Sequence, residues 1–139
     1  MALVLFDSGS NTDALSPDFV WACGISVFKL ERSIPIQLGT KGSRSVIHYG
    51  TNTTLTFGSK VLEQYFDILN LDKYDAIIGT PWLNKYNATL DFNKKCVQMN
   101  GESVVALPAR KPHYQPVTAS KKQVVATQQH RGKSEKLSK

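Results

Sequence analysis

Apolar and polar residues alternate through Ser33-Ile34-Pro35-Ile36-Gln37-Leu38 and again through Thr54-Leu55-Thr56-Phe57. A period of two is the mark of a β-strand with one face buried. The runs Ala2-Leu3-Val4-Leu5-Phe6 and Ala76-Ile77-Ile78 do not alternate, which predicts strands covered on both faces. Between Ile34–Gly39 and Arg44–Tyr49 lies Thr40-Lys41-Gly42-Ser43, whose glycine and polar neighbours suit a hairpin tip. Lys95–Met99 and Glu102–Leu107 flank Asn100-Gly101, the dipeptide most at ease with two positive φ angles, so a tight hairpin is predicted there.

Two helix starts interrupt the strands. Ser16 can cap, Pro17 suits the first helical position because its missing N–H would be unpaired there anyway, and Gly24 closes the turn after Phe19, Val20 and Cys23. Thr80-Pro81 repeats the device before Trp82, Leu83 and Tyr86, predicting a short helix over 81–86. Residues 1–107 therefore read as an all-β domain of short strands with two brief helices. Both tryptophans, Trp21 and Trp82, are expected in its core, and Cys23 and Cys96 as packed thiols.

The length of 139 residues suits one domain of ordinary size. The net charge of +6 is not spread along it. From Arg110 onward eight basic residues face Glu135 alone, a surplus of seven, so the remainder carries a net charge of −1. Residues 108–139 are rich in Lys, Gln, Ser and Pro, with Tyr114 their one aromatic, and cannot bury enough apolar surface to offset chain entropy; a basic disordered tail is expected. Pro108, Pro112 and Pro116 mark its start as an extended linker. Either this tail is a solvated spacer or it makes weak phosphate contacts with nucleic acid. Gly132-Lys133-Ser134 ends like a phosphate loop, but Thr127 stands where such a loop needs its first glycine.

Several classes drop out. No apolar run approaches the roughly 18–20 residues that span a bilayer, and no secretory signal is legible, so an intracellular, cytoplasmic chain with no membrane partner is expected. Two distant cysteines make neither a disulfide framework nor a zinc ribbon. The sequons at Asn52 and Asn87 are read as chance. Asp67, Asp72, Asp75 and Asp91 lack metal-loop spacing and are read as turn and surface groups; no metal and no cofactor is expected. His48 has no serine or cysteine nucleophile motif near it.

What remains is Asp7-Ser8-Gly9-Ser10 at the end of an apolar run, where a turn would hold a carboxylate near the interior. Alone, Asp-Ser-Gly is an ordinary turn. Some seventy residues later comes Tyr74-Asp75-Ala76-Ile77-Ile78-Gly79-Thr80-Pro81-Trp82-Leu83, a second apolar strand running through glycine into a helix, with the hairpin of Gly39–Ser45 between the two. In this order and spacing the chain, over residues 2–107, resembles the retropepsin-like aspartic proteases, and more closely those of gypsy-type LTR retrotransposons.

The resemblance implies a half-barrel of short strands, an obligate homodimer when active, and one catalytic residue per chain, Asp7. Ser8 and Gly9 would support the active-site loop, with Gly79 packed behind Asp7 where a side chain would collide. Thr40, Lys41 and Gly42 would form a flap over an extended peptide or polyprotein substrate. The family normally has a further strand before the Asp-Ser-Gly loop, and Met1 stands only five residues before Phe6. The expectation is thus a protease domain lacking its first strand. A second reading stays open: an inactive retroelement-derived module that dimerises or binds peptides, with a loose polyanion-binding tail.

Overall fold

The computed structural model describes residues 1–37 and 44–108, of which Met1–Leu107 form one compact unit. The hairpin tip with Thr40, Lys41 and Gly42 lies outside the described residues, as does the tail from residue 109. In chain order the elements are β1 (Val4–Phe6), β2 (Ala14–Leu15), α1 (Pro17–Ala22), β3 (Phe28–Gln37), β4 (Arg44–Phe57), β5 (Lys60–Ile68), β6 (Ala76–Ile78), α2 (Thr80–Lys85), β7 (Thr89–Asp91), β8 (Cys96–Met99) and β9 (Glu102–Val105).

Two sheets result. Six strands in the order β1-β6-β2-β5-β4-β3 form the larger, a mostly β half-barrel, and β7-β8-β9 form the smaller. The long β4–β5 hairpin, paired from Gly50↔Asp67 to Phe57↔Lys60, is its antiparallel backbone. At the other end β1 lies parallel to β6, with Phe6 opposite Ile78. Tiny β2 bridges these regions, antiparallel to β6 and parallel to β5. The two apolar runs read from the sequence, whose paired residues such as Phe6 and Ile78 stand 72 positions apart, are therefore neighbours.

Trp82 is fully buried at the centre of the core. Its indole meets the rings of Phe6 at 5.8 Å, Phe57 at 5.5 Å and Tyr86 at 5.3 Å, with Ile78, Phe66, Val97 and Met99 packed in the same cluster. This joins β1, β4, α2 and the small sheet, and an aromatic of this size carries a large share of core energetics. No helix among the described residues is long and apolar enough to cross a membrane.

The first helix forms as its caps predict: the Ser16 hydroxyl oxygen accepts the Phe19 N–H at 3.1 Å, Pro17 opens the helix, and Gly24 leaves it at φ +63°. The Asn100-Gly101 hairpin also forms, with φ values of +46° and +80°. Five expectations are corrected. The N-cap of α2 is Gly79 and not Thr80, because the backbone is already helical at Thr80 and extended at Gly79. Trp21 is 88 % exposed and Cys23 is exposed, since the short α1 has one side toward the core, occupied by Val20. In β3 Ile34 is exposed and Ile36 only half-buried, packed with Leu30 against Ala14, Ile47 and Leu69; β3 is the end strand of its sheet and pairs with β4 alone among the described residues. β1 is half-buried rather than covered on both faces, because it is the end strand of its sheet.

Candidate active site

Asp7 follows the last residue of β1, and its N–H donates to the Ile78 carbonyl at 2.9 Å, prolonging the β1–β6 ladder by one residue. The chain then turns: the Ser10 N–H donates to the Asp7 carbonyl at 3.1 Å, and the Gly9 N–H donates to Asp7 Oδ1 at 2.8 Å. That contact fixes the carboxylate over its own turn. A Cβ on Gly9 would sit 3.2 Å from Asp7 Oδ1, so a side chain there would crowd the carboxylate. Among the described residues Oδ2 has no hydrogen-bond partner within the protomer, and Asp7 is half-buried. One oxygen is pinned and the other is open to an approaching group.

Ser8 and Gly9 are exposed, and the Ser8 hydroxyl makes no hydrogen bond within the protomer among the described residues. Beyond them the loop turns inward. The Ser10 carbonyl accepts both the Thr80 N–H at 2.8 Å and the Thr80 hydroxyl at 3.0 Å, while the Ser10 hydroxyl donates to the Thr12 carbonyl at 2.8 Å. Gly79 is buried directly beneath. A Cβ on it would lie 2.6 Å from the Ser10 carbonyl oxygen and would also collide with the Thr12 carbonyl oxygen. The geometry thus brings Asp7, Ser8, Gly9 and Gly79 into one two-loop structure, and Gly79 is required for steric reasons.

Two residues of this structure carry no sequence signal. Asp13 is buried, its Oδ1 accepting the Gly79 N–H at 2.7 Å and its Oδ2 accepting Gln64 Nε2 at 3.1 Å. Burial pushes its carboxyl above the ordinary aspartate value, opposed by the bonds from Gly79, Gln64 and Trp82 and assisted by the charge of Asp67. Asp67, read from the sequence as a surface or turn group, instead braces the loop: it accepts the Thr12 hydroxyl at 2.5 Å and the Tyr65 hydroxyl at 2.7 Å. Partial burial and that bond to Asp67 raise the Tyr65 phenol above its usual value. An aspartate within a polar stretch looks the same in sequence whether it faces water or a neighbouring strand, so only the β2–β5 pairing could reveal either role.

Other features lie apart from this site. The Ser33 hydroxyl and His48 Nδ1 are 2.8 Å apart across β3 and β4, both exposed, with no carboxylate bonded to the histidine among the described residues. An apolar groove of about 670 Å³, lined by Val20, Trp21, Ile25, Val27, Tyr49 and Ile68 among others, includes no residue of the Asp7 loop. No cluster of three or more potential metal ligands occurs among the described residues.

The PEG10/RTL1 protease domain family matches residues 3–106. DNA damage-inducible protein 1 of Neurospora crassa is 29% identical over 100 residues, covering 72% of this chain and 23% of that protein, so the chain spans about a quarter of that curated relative's length. The crystal structure of the retroviral protease-like domain of Ddi1 from Leishmania major matches with a TM-score of 0.59 at 17% identity, over 76% of this chain and 83% of that one. At that identity the structural likeness carries the fold.

Proposed function

The chain belongs to the PEG10/RTL1 protease domain family, and from that premise we propose that it is an aspartic endopeptidase of gypsy-type retrotransposon descent, cleaving extended peptide or polyprotein segments as a homodimer. Residues 1–107 are its protease domain and residues 108–139 its basic tail. The observation that carries the reading is the Asp7 carboxylate, held by Gly9 at the end of β1 with its second oxygen open, on a loop seated against Gly79.

A single chain supplies one such aspartate, so the second comes from a symmetry mate. Two Asp7 carboxylates facing each other at about 3 Å would repel by roughly 5 kcal/mol at an effective dielectric of about 20, so the pair shares one proton near neutral pH. The ionised member takes a proton from a bound water, which attacks the peptide carbonyl. The protonated member hydrogen-bonds the carbonyl oxygen, and the pair then protonates the leaving nitrogen. Ser8, exposed and without a hydrogen bond among the described residues, is assigned to bridge the two loops across the axis. Thr40, Lys41 and Gly42 are assigned to the flap by their position between β3 and β4.

The test combines sedimentation of the full chain at several concentrations with cleavage of a peptide library at mildly acidic pH. A concentration-dependent dimer should cleave, and cleavage should vanish in Asp7→Asn and be blocked by a statine-type inhibitor. A pure dimer that cleaves no peptide would overturn the proposal in favour of the non-enzymatic dimerising module.

A further inference from the structure

Asp13 is a buried carboxyl group that the cleavage chemistry does not touch. It stands at the far end of the loop that begins at Asp7, and it reaches two other parts of the chain, Gly79 sixty-six residues on and Gln64 fifty-one residues on. Gly79, the N-cap residue of α2, has no side chain to cap with, and its own backbone N–H is held by Asp13 from a distant segment. Gln64 is itself buried, and its Nε2 also donates to the Tyr65 carbonyl at 2.8 Å, so the amide is oriented with its nitrogen toward Asp13. Every partner of the carboxyl group is a donor. The arrangement is complementary to a carboxylate with two accepting oxygens, yet it lies where burial disfavours the charge.

What this bridge joins matters more than its strength. The bare face of Gly79 is the surface on which the Ser10 and Thr12 carbonyls rest, and the Gly79 N–H is held by Asp13. The loop between Asp7 and Asp13 is thereby fixed at three points: Asp7 on Ile78, Ser10 on Thr80, and Asp13 on Gly79. Displacing the third point shifts the seat of the loop that carries Asp7, and displacements of about 1 Å in a catalytic group can cost on the order of a hundredfold in rate.

We propose that Asp13 is a positioning residue for the Asp7 chemistry: by bridging Gly79 and Gln64, its carboxyl group sets the seat of the catalytic loop and so governs the chemical step rather than substrate affinity. This rests on the proteolytic reading above. The groups facing Asp13 are Gln64 from β5, the Gly79 and Trp82 backbones from the β6–α2 segment, and Asp67 near the end of β5, the one other charge acting on it among the described residues. Asparagine at position 13 keeps the acceptor for Gly79 but turns an N–H₂ toward the Gln64 donor; alanine loses both contacts.

The experiment uses the full chain with Asp13→Asn, Asp13→Ala and Gln64→Leu, reading kcat and KM on one cleaved peptide and following the Gly79 amide signal by ¹H–¹⁵N NMR across pH. In Asp13→Ala kcat should fall about tenfold or more with KM held within about threefold, and Asp13→Asn should recover most of the loss. The Gly79 amide should titrate with a carboxyl group in the natural protein and be flat in Asp13→Asn. Should Asp13→Ala fail to fold, Gln64→Leu, which removes one of the bridge's donors, should still lower kcat severalfold at constant KM. Equal loss of kcat/KM through KM alone, or a Gly79 titration unchanged by Asp13→Asn, would overturn the proposal. If the natural protein cleaves nothing, the proteolytic reading fails, while the Gly79 titration still reports whether the bridge exists.

Discussion

Thr80 gives both its backbone N–H and its hydroxyl to a single acceptor, the carbonyl oxygen of Ser10, at 2.8 and 3.0 Å. These two residues lie seventy positions apart, and their contact is the point at which the turn after β6 closes on the loop after β1.

Substitutions at this contact should separate sterics from hydrogen bonding. Thr80→Val keeps the shape and the backbone bond and should cost about 1 kcal/mol, the net worth of one hydrogen bond. Gly79→Ala should cost about 1–3 kcal/mol or more, because its methyl would meet backbone oxygens of Ser10 and Thr12 that cannot rotate away. Urea unfolding of the two variants checks the order, and a Gly79→Ala cost below that of Thr80→Val would contradict the packing.

The Asn100-Gly101 turn isolates a purely conformational effect. Gly101 has φ +80° and nothing within 4 Å of where a Cβ would go, so Gly101→Ala meets no neighbour and should cost about 1–2 kcal/mol through backbone strain alone. Thermal unfolding measures it, and a neutral effect would argue against the left-handed geometry.

The two tryptophans should respond in opposite ways. Trp21→Ser changes an 88 % exposed side chain and should shift stability by no more than about 0.5 kcal/mol. Trp82→Ala empties the centre of the aromatic cluster and should cost about 3–5 kcal/mol. Trp82 Nε1 is buried without a hydrogen-bond partner among the described residues, so Trp82→Phe should cost less than its loss of volume suggests. Chemical denaturation of the three variants ranks them.

Two carboxylates should tilt the pH dependence of stability in opposite directions. Glu102 accepts the Ser59 hydroxyl and, at 3.2 Å, the Ser59 N–H, which lowers its carboxyl below the usual 4.5; its contribution is present above that value and is lost as pH falls through the folded-state value. Asp13 is raised by burial, so its contribution is full below the usual 3.8 and declines as pH rises through the folded-state value. Glu102→Gln should therefore flatten the acid limb of a plot of unfolding midpoint against pH, and Asp13→Asn should remove a decline on its alkaline side. Parallel shifts without a change of slope would contradict both assignments.

Much of this protein was written locally. Ser16-Pro17 and Gly24 determined α1, Asn100-Gly101 determined the β8–β9 hairpin, and the two apolar runs determined β1 and β6, because caps, turns and short-range periodicity act within a few residues. The order of Asp7-Ser8-Gly9 and Ile77-Ile78-Gly79 along the chain was enough to suggest the fold. Tertiary structure alone decided which polar groups face inward: Asp13 acquired partners at Gln64 on β5 and at Gly79, Asp67 met Thr12 of the loop after β1, and Thr80 reached Ser10. It alone decided, too, that Trp21 stays in solvent while Trp82 fills the core. Burial and hydrogen-bond partnership are properties of pairs of segments, and the chain sets those pairs only when distant strands come into register.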